Sequence, residues 1–378
     1  MDQFISGQQI HQGYYQSFQP CMIHRKWNIT DMELLSLLGK ADRQLGKLDM
    51  FSSFVPNIEL FISMHVLKEA TQSSKIEGTK TNIEDLLMDQ PDVDVEKRDD
   101  WEEVQNYIKA LHHGLNRLSD LPLSARLMRE THQILLQGVR GTNKLPGEFR
   151  NSQNWIGGAS INDATFVPPH HSTIGDYMSD LERFIHDEQN FFPELLKIAL
   201  IHYQFETIHP FLDGNGRLGR LFIVMYLVDK GLLQRPILYL SDFFERNKGL
   251  YYDNLMRVRT HSDIRQWFKF FLVGVIETAS FASQTFEEIL QLKQQSEKDI
   301  QVLGNRIPSA LKVLEHLFKR PLVNASMVQS ITGLSSPSAY RLLNDLEKLG
   351  ILEEVSGRKR KRVYIFRSYL SLFESPQP

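Results

Sequence analysis

Residues 193–231 read PELLKIALIHYQFETIHPFLDGNGRLGRLFIVMYLVDKG, and this stretch organises the fold. Apolar residues recur at helical spacing on both sides of a polar, glycine-containing segment. Pro193 suits the first position of a helix, and that helix must end before Pro210 because proline cannot continue it. Gly231 closes the second helix. The sequence therefore predicts two mostly buried helices joined by one short loop.

The joining segment, from His209 to Arg220, combines glycines with charged side chains. Gly214 and Gly216 let successive backbone N–H groups turn inward, and the positive end of the following helix adds to them. Such a loop suits an anion, and phosphate is the natural one. Arg217 and Arg220 lie three residues apart and share a helical face, as contacts to a polyphosphate chain require.

Two further side chains give this segment its chemistry. Asp213 beside an anion site implies a cation between them, and Mg²⁺ bridging Asp213 and the phosphates removes the repulsion. His209 precedes a proline, which biases it away from the helical conformation and towards the loop, where a neutral imidazole can act as a general base. The segment predicts base-assisted phosphate chemistry.

Other classes of site do not fit these residues. Gly214-x-Gly216-x-x-Gly219 matches the dinucleotide fingerprint in form, but that motif follows a strand and here a helix precedes it. The chain has no G-x-S-x-G stretch for a serine nucleophile. The histidines that would have to form a zinc site lack its spacing: His170, His171, His202 and His209.

The segment resembles the signature of the Fic family, H-x-F-x-D/E-G-N-G-R-x-x-R, and matches it at every specified position. Fic enzymes transfer AMP from ATP to a Ser, Thr or Tyr hydroxyl of a protein. The resemblance implies that His209 is the catalytic base, that Asp213 holds Mg²⁺ and that Arg220 holds the γ-phosphate. The phosphorylating Doc branch has a lysine-containing variant of GNGR, so AMP transfer is favoured. The nucleotide contacts implied here are Gly214, Asn215, Gly216, Arg217, Leu218, Gly219 and Arg220.

A second motif is SSKIEG, residues 73–78, at the end of a helix predicted to open at Pro56-Asn57 and to run to about Glu77. Gly78 supplies a left-handed cap. Ser73 and Glu77 share a face, and a carboxylate in the last turn opposes the helix dipole, which suggests a cationic partner. The segment is similar to the inhibitory helix of Fic proteins, S/T-x-x-x-E-G/N. This resemblance implies that Glu77 pairs with Arg220 and blocks the γ-phosphate position, and it leaves open a role in removing AMP.

Two weaker sites complete the resemblance. Residues 147–170 are rich in turn signals and predict a loop with a short β-hairpin. This region resembles the flap of Fic proteins, which aligns an extended target segment by strand-like pairing, and its residues would be Gly157, Gly158, Ile161 and Phe166. Tyr251 and Tyr252, with Leu255, lie where related proteins line the adenine pocket, so the resemblance implies nucleotide contacts from both tyrosines.

The remaining pattern is helical as far as residue 292. Helices are predicted near 101–117, 123–137, 172–188 and 268–292, and a capping box at Thr81-Asn82-Ile83-Glu84 begins another. The polar stretch 291–297 is predicted as a connector. The predicted fold class is therefore mostly α, a Fic-type helical core with a short β-hairpin flap.

The C-terminal part differs in charge. Residues 304–378 contain 12 Lys and Arg against 6 Asp and Glu, a net charge of +6, so residues 1–303 carry −9 of the total of −3. The pattern resembles a winged helix-turn-helix, in which Pro337–Leu349 is the recognition helix. The other predicted elements are helices Ser309–Lys319 and Ser326–Thr332 and strands Leu352–Val355 and Arg362–Phe366.

The wing of this domain would carry Arg358-Lys359-Arg360-Lys361-Arg362, a charge run suited to phosphate backbones. Tyr340 and Arg341 on the recognition helix add support for DNA contact. A target protein fits as partner equally well. The alternative to an AMP-transferring enzyme is an ATP-sensing, DNA-binding transcriptional regulator.

Composition bounds the rest. A chain of 378 residues with 42% hydrophobic and 24% charged residues predicts a folded protein of more than one domain. We expect an N-terminal helical region at 1–110 with the inhibitory helix at about 57–78, a catalytic core at 111–290 and the winged helix at 304–378. Cys21 is the single cysteine, no signal peptide is evident, and the longest apolar run has 8 residues. We therefore expect a cytoplasmic protein without a membrane segment, and a homodimer stays open.

Overall fold

The first elements of the chain lie against the helices that follow. The structure, a computed structural model, describes residues 4–54, 58–88, 90, 93–138, 142–189, 191–357 and 362–374. Strands β1 and β2 form an antiparallel hairpin, and helix α1 packs along α11. The elements are β1 (Gly7–His11), β2 (Gln16–Pro20), α1 (Met32–Phe54), α2 (Glu59–Ile76), α3 (Ile83–Leu87), α4 (Arg98–Arg117), α5 (Ala125–Leu135), α6 (Ile174–His186), α7 (Glu194–Ile208), α8 (Asn215–Asp229), α9 (Ser241–Arg246), α10 (Lys248–His261) and α11 (Ile264–Ile300).

Helix α2 ends as the sequence predicts, although its predicted start at residues 56–57 lies outside the described residues. Gly78 has φ +107° and breaks the helix two residues after Ile76. The predicted capping box was one residue early. Asn82 caps α3, because its Oδ1 accepts from the Asp85 N–H (2.8 Å) while the Asp85 carboxylate accepts from the Asn82 N–H (3.5 Å).

Helices α7 and α8 form the centre of the core. Every residue of α7 from Leu195 to Ile208 is buried, and α8 is buried over most of its length. Because residues on all sides of each helix are buried, both helices lie between their neighbours. Pro193 stands one position before α7 and not at its first residue as predicted. The loop between α7 and α8 is therefore held by two buried helices.

The segment between α5 and α6 contains the predicted hairpin in its shortest form. Ile156 and Phe166 form an isolated antiparallel bridge, with N–H···O distances of 2.8 and 3.1 Å. Strand β2 joins its outer side, because the Phe18 N–H donates to the Val167 carbonyl at 2.9 Å. The hairpin thus has β2 on one edge.

Helix α11 is longer than predicted. The polar stretch 291–297 is not a connector but a continuation of this 37-residue helix. Pairs four residues apart stabilise an exposed polar helix, and here Lys293 bonds to Glu297 and Gln295 to Asp299. The break falls at Gly304, whose φ of +55° and ψ of −123° are not helical.

The C-terminal elements form a winged helix-turn-helix. Its three-stranded sheet has the order β3-β5-β4. The domain packs on the N-terminal region, with the Phe61 and Phe318 rings 5.6 Å apart and the Arg320 Nε–H donating to the Leu87 carbonyl at 3.0 Å. The elements are α12 (Ile307–Lys319), β3 (Leu322–Asn324), α13 (Ala325–Thr332), α14 (Ser336–Lys348), β4 (Glu353–Glu354), β5 (Val363–Ile365) and α15 (Arg367–Leu370).

These elements confirm the predicted fold class, mostly α with a short β-hairpin and a C-terminal winged helix. The basic run predicted on the wing lies outside the described residues except for Arg362. The domain boundaries stay predictions, and residues 110 and 290 fall inside α4 and α11. Across the described ranges, no helix combines the length and the apolar character that a bilayer crossing needs.

Candidate active site

The loop between α7 and α8 has backbone conformations that are rare for most residues. His209, directly after α7, lies in the left-handed region with φ +49° and ψ +60°. Gly214 stands directly before α8 with φ +74°, and a Cβ there would lie 3.2 Å from the Leu136 side chain. Glycine takes this conformation without strain and leaves the space free. The chain therefore turns sharply at both ends of the loop.

Two side chains brace the interior of the loop. Asn215 Oδ1 accepts from the Phe211 N–H and its Nδ2 donates to the Phe211 carbonyl, both at 2.9 Å. The His132 ring stacks on the Phe211 ring with centroids 3.8 Å apart, and its Nδ1 accepts from the Gly147 N–H at 2.9 Å. That bond puts the ring proton on Nε2, which donates to the Asp213 carbonyl at 2.9 Å. The Asn215 side chain is thus committed to the loop itself, so a ligand would meet its backbone.

Arg150, from the segment between α5 and α6, holds the start of the loop by hydrogen bonds. Its Nε–H donates to the His209 carbonyl at 3.0 Å, its Nη2 donates to the Pro169 carbonyl at 2.6 Å, and its backbone N–H donates to the Pro210 carbonyl at 2.8 Å. Burial lowers the pKa of Arg150 to about 10, which leaves the guanidinium charged at neutral pH. These bonds stabilise the left-handed conformation of His209.

The imidazole of His209 is neutral at physiological pH. Burial, followed by the positive charges of Arg259 and Arg150, lowers its pKa to about 3. Its Nδ1 is buried and has no hydrogen-bond partner among the described residues. A neutral imidazole can accept a proton, so the predicted catalytic base is in the required state.

Arg217 and Asp213 form one charged group with Glu103. Arg217 Nη1 lies 3.0 Å from Glu103 Oε2 on α4, and Nη2 lies 3.6 Å from Asp213 Oδ1. Asp213 Oδ1 also accepts from the Gly214 N–H at 2.6 Å. Within the described part of the chain both of these contacts use Oδ1, which leaves Oδ2 for a cation. Arg217 is held in place by a carboxylate on each side.

Arg220 is the most enclosed charge of the site. Its side chain is 1% exposed, and its Nε–H donates to Ser73 Oγ at 2.9 Å. Its Nη2 donates to the Ser73 carbonyl at 2.8 Å and to Glu77 Oε1 at 2.7 Å. Burial alone would lower the pKa of Arg220, but the Glu77 carboxylate raises it above its ordinary value. The structure thus joins Ser73, Glu77 and Arg220, the three residues that the two motifs paired.

Glu77 lies over the first turn of α8. A Cβ at Gly216 would overlap Glu77 Oε1 and lie 2.9 Å from Arg220 Nη1. Burial acts to raise the pKa of Glu77, but the positive charges of Arg220 and then Arg217 outweigh it and lower that pKa, so the group is ionised. The N-terminus of a helix favours an anion, and in this structure that anion is the Glu77 carboxylate.

The end of α2 is fastened to neighbouring helices. Glu69 Oε1 accepts from the Tyr107 hydroxyl at 2.8 Å and from the Ser241 hydroxyl at 2.5 Å. Lys248 Nζ donates to the carbonyl of Ile76, the last residue of α2, at 2.6 Å. A cation at this end offsets the negative pole of the helix dipole. Glu77 is therefore placed by a helix that is held at two points.

Leu218 and Gly219 face the core and not the loop. Leu218 is 1% exposed, and a Cβ at Gly219 would lie 2.6 Å from Glu206 Oε1 on α7. Gly219 therefore permits the close approach of α7 and α8. Burial raises the pKa of the Glu206 carboxyl to about 7. Nucleotide contact by these two residues stays a prediction.

The predicted flap residues lie in the hairpin beside the loop. Gly157 and Gly158 have φ near +70°, and a Cβ at either would collide with Thr165 or with the Asp163 backbone. Phe166 is buried, and the guanidinium of Arg259 lies 3.8 Å from its ring centroid. Ile161 is half-buried at the turn.

The two tyrosines proposed for the adenine pocket have different environments. Tyr251 is 1% exposed and its hydroxyl bonds to His202 Nε2 at 2.8 Å. Tyr252 is 40% exposed and packs on Tyr251 with ring centroids 5.2 Å apart. Leu255 is buried. Of the pair, Tyr252 offers a surface on which a base can stack, and contact of either tyrosine with adenine stays a prediction.

Several residues that shape the site were missed from the sequence, namely His132, Arg150, Glu103 and Arg259. They are single residues far from the motif in sequence, and their contacts become visible only when the fold brings them together. One of them had a signal in the sequence. Arg150 belongs, with Gly147, to the GEFR stretch that opens the flap region.

Three family models match the chain. The Fic/DOC family N-terminal model matches residues 35–116, the Fic/DOC family model matches residues 122–227, and the IclR helix-turn-helix domain model matches residues 310–356. The chain therefore carries a Fic domain preceded by a Fic N-terminal region and followed by a helix-turn-helix domain.

Curated relatives cover a smaller part of the chain. A protein named protein adenylyltransferase Fic from Aedes aegypti is 34% identical over 125 residues, which is 33% of this chain and 22% of that protein. A probable protein adenylyltransferase from Aquifex aeolicus is 26% identical over 177 residues, 47% of this chain and 52% of that one. The match thus spans less than a quarter of the mosquito protein.

Solved structures of Fic proteins share the fold. A Fic family protein from Desulfovibrio desulfuricans G20 superposes with a TM-score of 0.57 at 18% identity, over 90% of this chain and 98% of that chain. A fragment of Fic-1 from C. elegans superposes with a TM-score of 0.52 at 18% identity, over 69% of this chain and 74% of that chain. These likenesses confirm the predicted Fic-type helical core.

Proposed function

We propose that this chain, which carries a Fic domain, is a protein adenylyltransferase that moves AMP from ATP to a Ser, Thr or Tyr hydroxyl of another protein. The observation that carries the proposal is the loop at 209–220. There a buried neutral histidine, the N-terminal turn of a helix and two nearly buried arginines meet within one short segment. The names of the curated relatives support the same reaction.

The phosphate chain would lie along the first turn of α8. The first turn of α8 offers the backbone N–H groups of Asn215 and Gly216, with Arg217 on one side and Arg220 at the far end. Both guanidiniums are already fixed, so they need no reorganisation when the phosphates arrive. This geometry lets the protein stabilise charge as it moves towards the leaving pyrophosphate.

Asp213 is the residue that would hold Mg²⁺. Among the described residues, no three His, Cys, Asp or Glu side chains converge on one point as a metal site. A single carboxylate with one oxygen available suits Mg²⁺, which usually takes one or two carboxylates and completes its shell with phosphate oxygens and water. When bound, the ion would neutralise the charge of the phosphates.

His209 would take the proton of the target hydroxyl. The hydroxyl oxygen then bonds to the α-phosphorus, the bond from that phosphorus to the bridging oxygen breaks, and pyrophosphate leaves. The proton stays on the imidazole. The low pKa of His209 keeps it neutral before the step, and positioned general bases contribute about 10²–10⁴-fold to a rate.

Glu77 would inhibit this reaction. Its carboxylate occupies the place beside Arg220 and Gly216 that the γ-phosphate of ATP would take. Two anions cannot share one guanidinium in an enclosed site without strong repulsion. ATP would therefore bind productively only after Glu77 has left.

The test uses the Glu77→Gly variant and whole-cell lysate as the source of targets. Label transferred to protein from α-labelled but not from γ-labelled ATP is the expected result, and His209→Ala in the same background should remove it. Label from γ-labelled ATP alone would identify a kinase. The absence of label from either would contradict transferase activity and favour an ATP-sensing regulator.

The C-terminal domain would bind duplex DNA, as its helix-turn-helix match suggests. Tyr340 and Arg341 lie on α14, the second helix of the motif. A gel shift with duplex DNA at low salt, which Arg341→Ala weakens, is expected. No binding at low salt would favour a protein partner for this domain.

A further inference from the structure

Arg259 on α10 joins parts of the molecule that the proposed reaction needs together. Its Nε–H donates to Thr207 Oγ1 at 3.2 Å, and its Nη2 donates to the Glu206 carbonyl at 3.1 Å. The same guanidinium lies 3.8 Å from the ring centroid of Phe166 in the hairpin. No motif in the sequence includes this residue.

The first two contacts fix the end of α7. The last carbonyls of a helix have no partner within it, and an arginine there satisfies one and offsets the negative pole of the dipole. Glu206 and Thr207 belong to this last turn, and His209 follows in a left-handed conformation that most residues avoid. Arg259 therefore supports the backbone that carries the proposed base.

The third contact fixes the hairpin. Phe166 forms the only bridge of the hairpin in the described residues, with Ile156, and its ring packs on Phe18 of β2 at 5.9 Å. The face of an aromatic ring attracts a guanidinium, and more strongly as water is excluded. Loss of this contact would free the strand that the target segment is expected to meet.

We propose that Arg259 is a positioning residue that holds the hairpin and the base histidine in one fixed relation, so that a target hydroxyl aligned by the hairpin arrives at His209. The activity part of this proposal rests on the proposed function. Its structural part, that one guanidinium supports both segments, does not.

Arg259 also acts on His209 through its charge. Burial is the largest cause of the low pKa of this imidazole. Three charged groups also act on it: Arg259 from α10 and Arg150 from the flap region lower that pKa further, and Glu77 after α2 raises it. The backbone of Glu206, in the same helix, also raises it. Removing the positive charge at residue 259 would therefore raise the pKa of His209.

The experiment compares Arg259→Met and Arg259→Lys in the Glu77→Gly background, with Arg257→Met as the matched control. Arg257 lies one half-turn away on the same helix, 59% exposed, and pairs with Asp263. Hydrogen exchange at the Ile156 and Phe166 amides reports on the hairpin. Label from α-labelled ATP in lysate protein reports on transfer, and titration with ATP reports on nucleotide binding.

We expect both Arg259 variants to speed exchange at the two amides and to lower transfer by about tenfold, with ATP affinity within about twofold of the parent. In Arg259→Met the acid side of the pH profile of transfer should also move to higher pH, because the base is neutral only above its raised pKa. Arg259→Lys keeps the charge and should not show this shift. Arg257→Met should change none of these readouts.

Unchanged exchange in both variants would overturn the proposal, and so would faster exchange with full transfer. If Arg259→Met does not fold, Arg259→Lys decides the matter by the same two readouts. If the Glu77→Gly parent transfers no AMP, the proposed function fails, whereas the exchange measurement still tests whether Arg259 holds the hairpin.

Discussion

Arg220 and Glu77 form one ion pair, but the regions that supply them are built differently. Arg220 lies in the middle of the core on α8, 1% exposed, with hydrogen bonds to Ser73 as well as to Glu77. Glu77 is the first residue after α2, its side chain is 35% exposed, and Gly78 follows it. Arg220 is therefore a fixed part of the core, whereas Glu77 is a partly exposed residue at the end of a helix.

The difference indicates which partner can move. A buried guanidinium without an anion is costly, so Arg220 needs a replacement whenever Glu77 leaves. The γ-phosphate of ATP is the replacement that our proposed function supplies. Release of Glu77 and binding of ATP would then favour each other, because both act on one charge.

His209→Ala should have the largest effect, because it removes the proposed base from the loop before α8, in the same fixed core as Arg220. In the Glu77→Gly background we expect AMP transfer to fall by at least about 10²-fold. ATP binding, measured by calorimetry, should be unchanged, since the phosphates contact α8 and the arginines. Transfer at the parent rate would show that the loop does not use this histidine.

Glu77→Gly should have the next largest effect, and it changes the partner that can move. A charged hydrogen bond contributes about 1.5–3 kcal/mol, and partial exposure of Glu77 to water reduces that figure. We therefore expect transfer from α-labelled ATP to rise by about tenfold or more over the wild-type chain. Equal rates in the two proteins would mean that Glu77 does not inhibit.

Lys248→Met should have a smaller effect in the same direction. Its Nζ holds the carbonyl of Ile76, and loss of one hydrogen bond, about 1 kcal/mol, should let the end of α2 open more often. A rise in transfer of up to about fivefold is expected. The rise should vanish when Glu77→Gly is already present, and a rise in both backgrounds would place the action of Lys248 elsewhere.

Much of this site follows from the sequence because its strongest signals are local. The two mostly buried helices, the loop between them and the end of α2 just before Glu77 depend on spacing, on Pro210 and on glycines whose conformations few residues share. His209, Arg217 and Arg220 could be placed together for the same reason, since they lie within 12 residues of one another on one loop and the helix that follows it. The errors of one residue at Thr81 and at Pro193 arise because neighbouring residues satisfy the same capping rules.

The rest depends on tertiary contacts that leave no periodic trace. Arg150 and His132 hold the loop, Arg259 holds the end of α7 before it, and each is a single residue in its own distant segment. Polarity at 291–297 suggested a break, but pairs four residues apart keep α11 intact there. The commitment of the Asn215 side chain to Phe211 likewise depends on the closed shape of the loop.

The most direct test of this account measures the affinities of ATP and ADP, with Mg²⁺, by calorimetry in the His209→Ala background, where no transfer consumes the nucleotide. With Glu77 present, ATP should bind no more tightly than ADP, because Glu77 occupies Arg220 and repels the γ-phosphate. After Glu77→Gly, ATP should bind about tenfold more tightly than ADP. The same ratio of affinities with and without Glu77 would contradict the claim that Glu77 holds the γ-phosphate position.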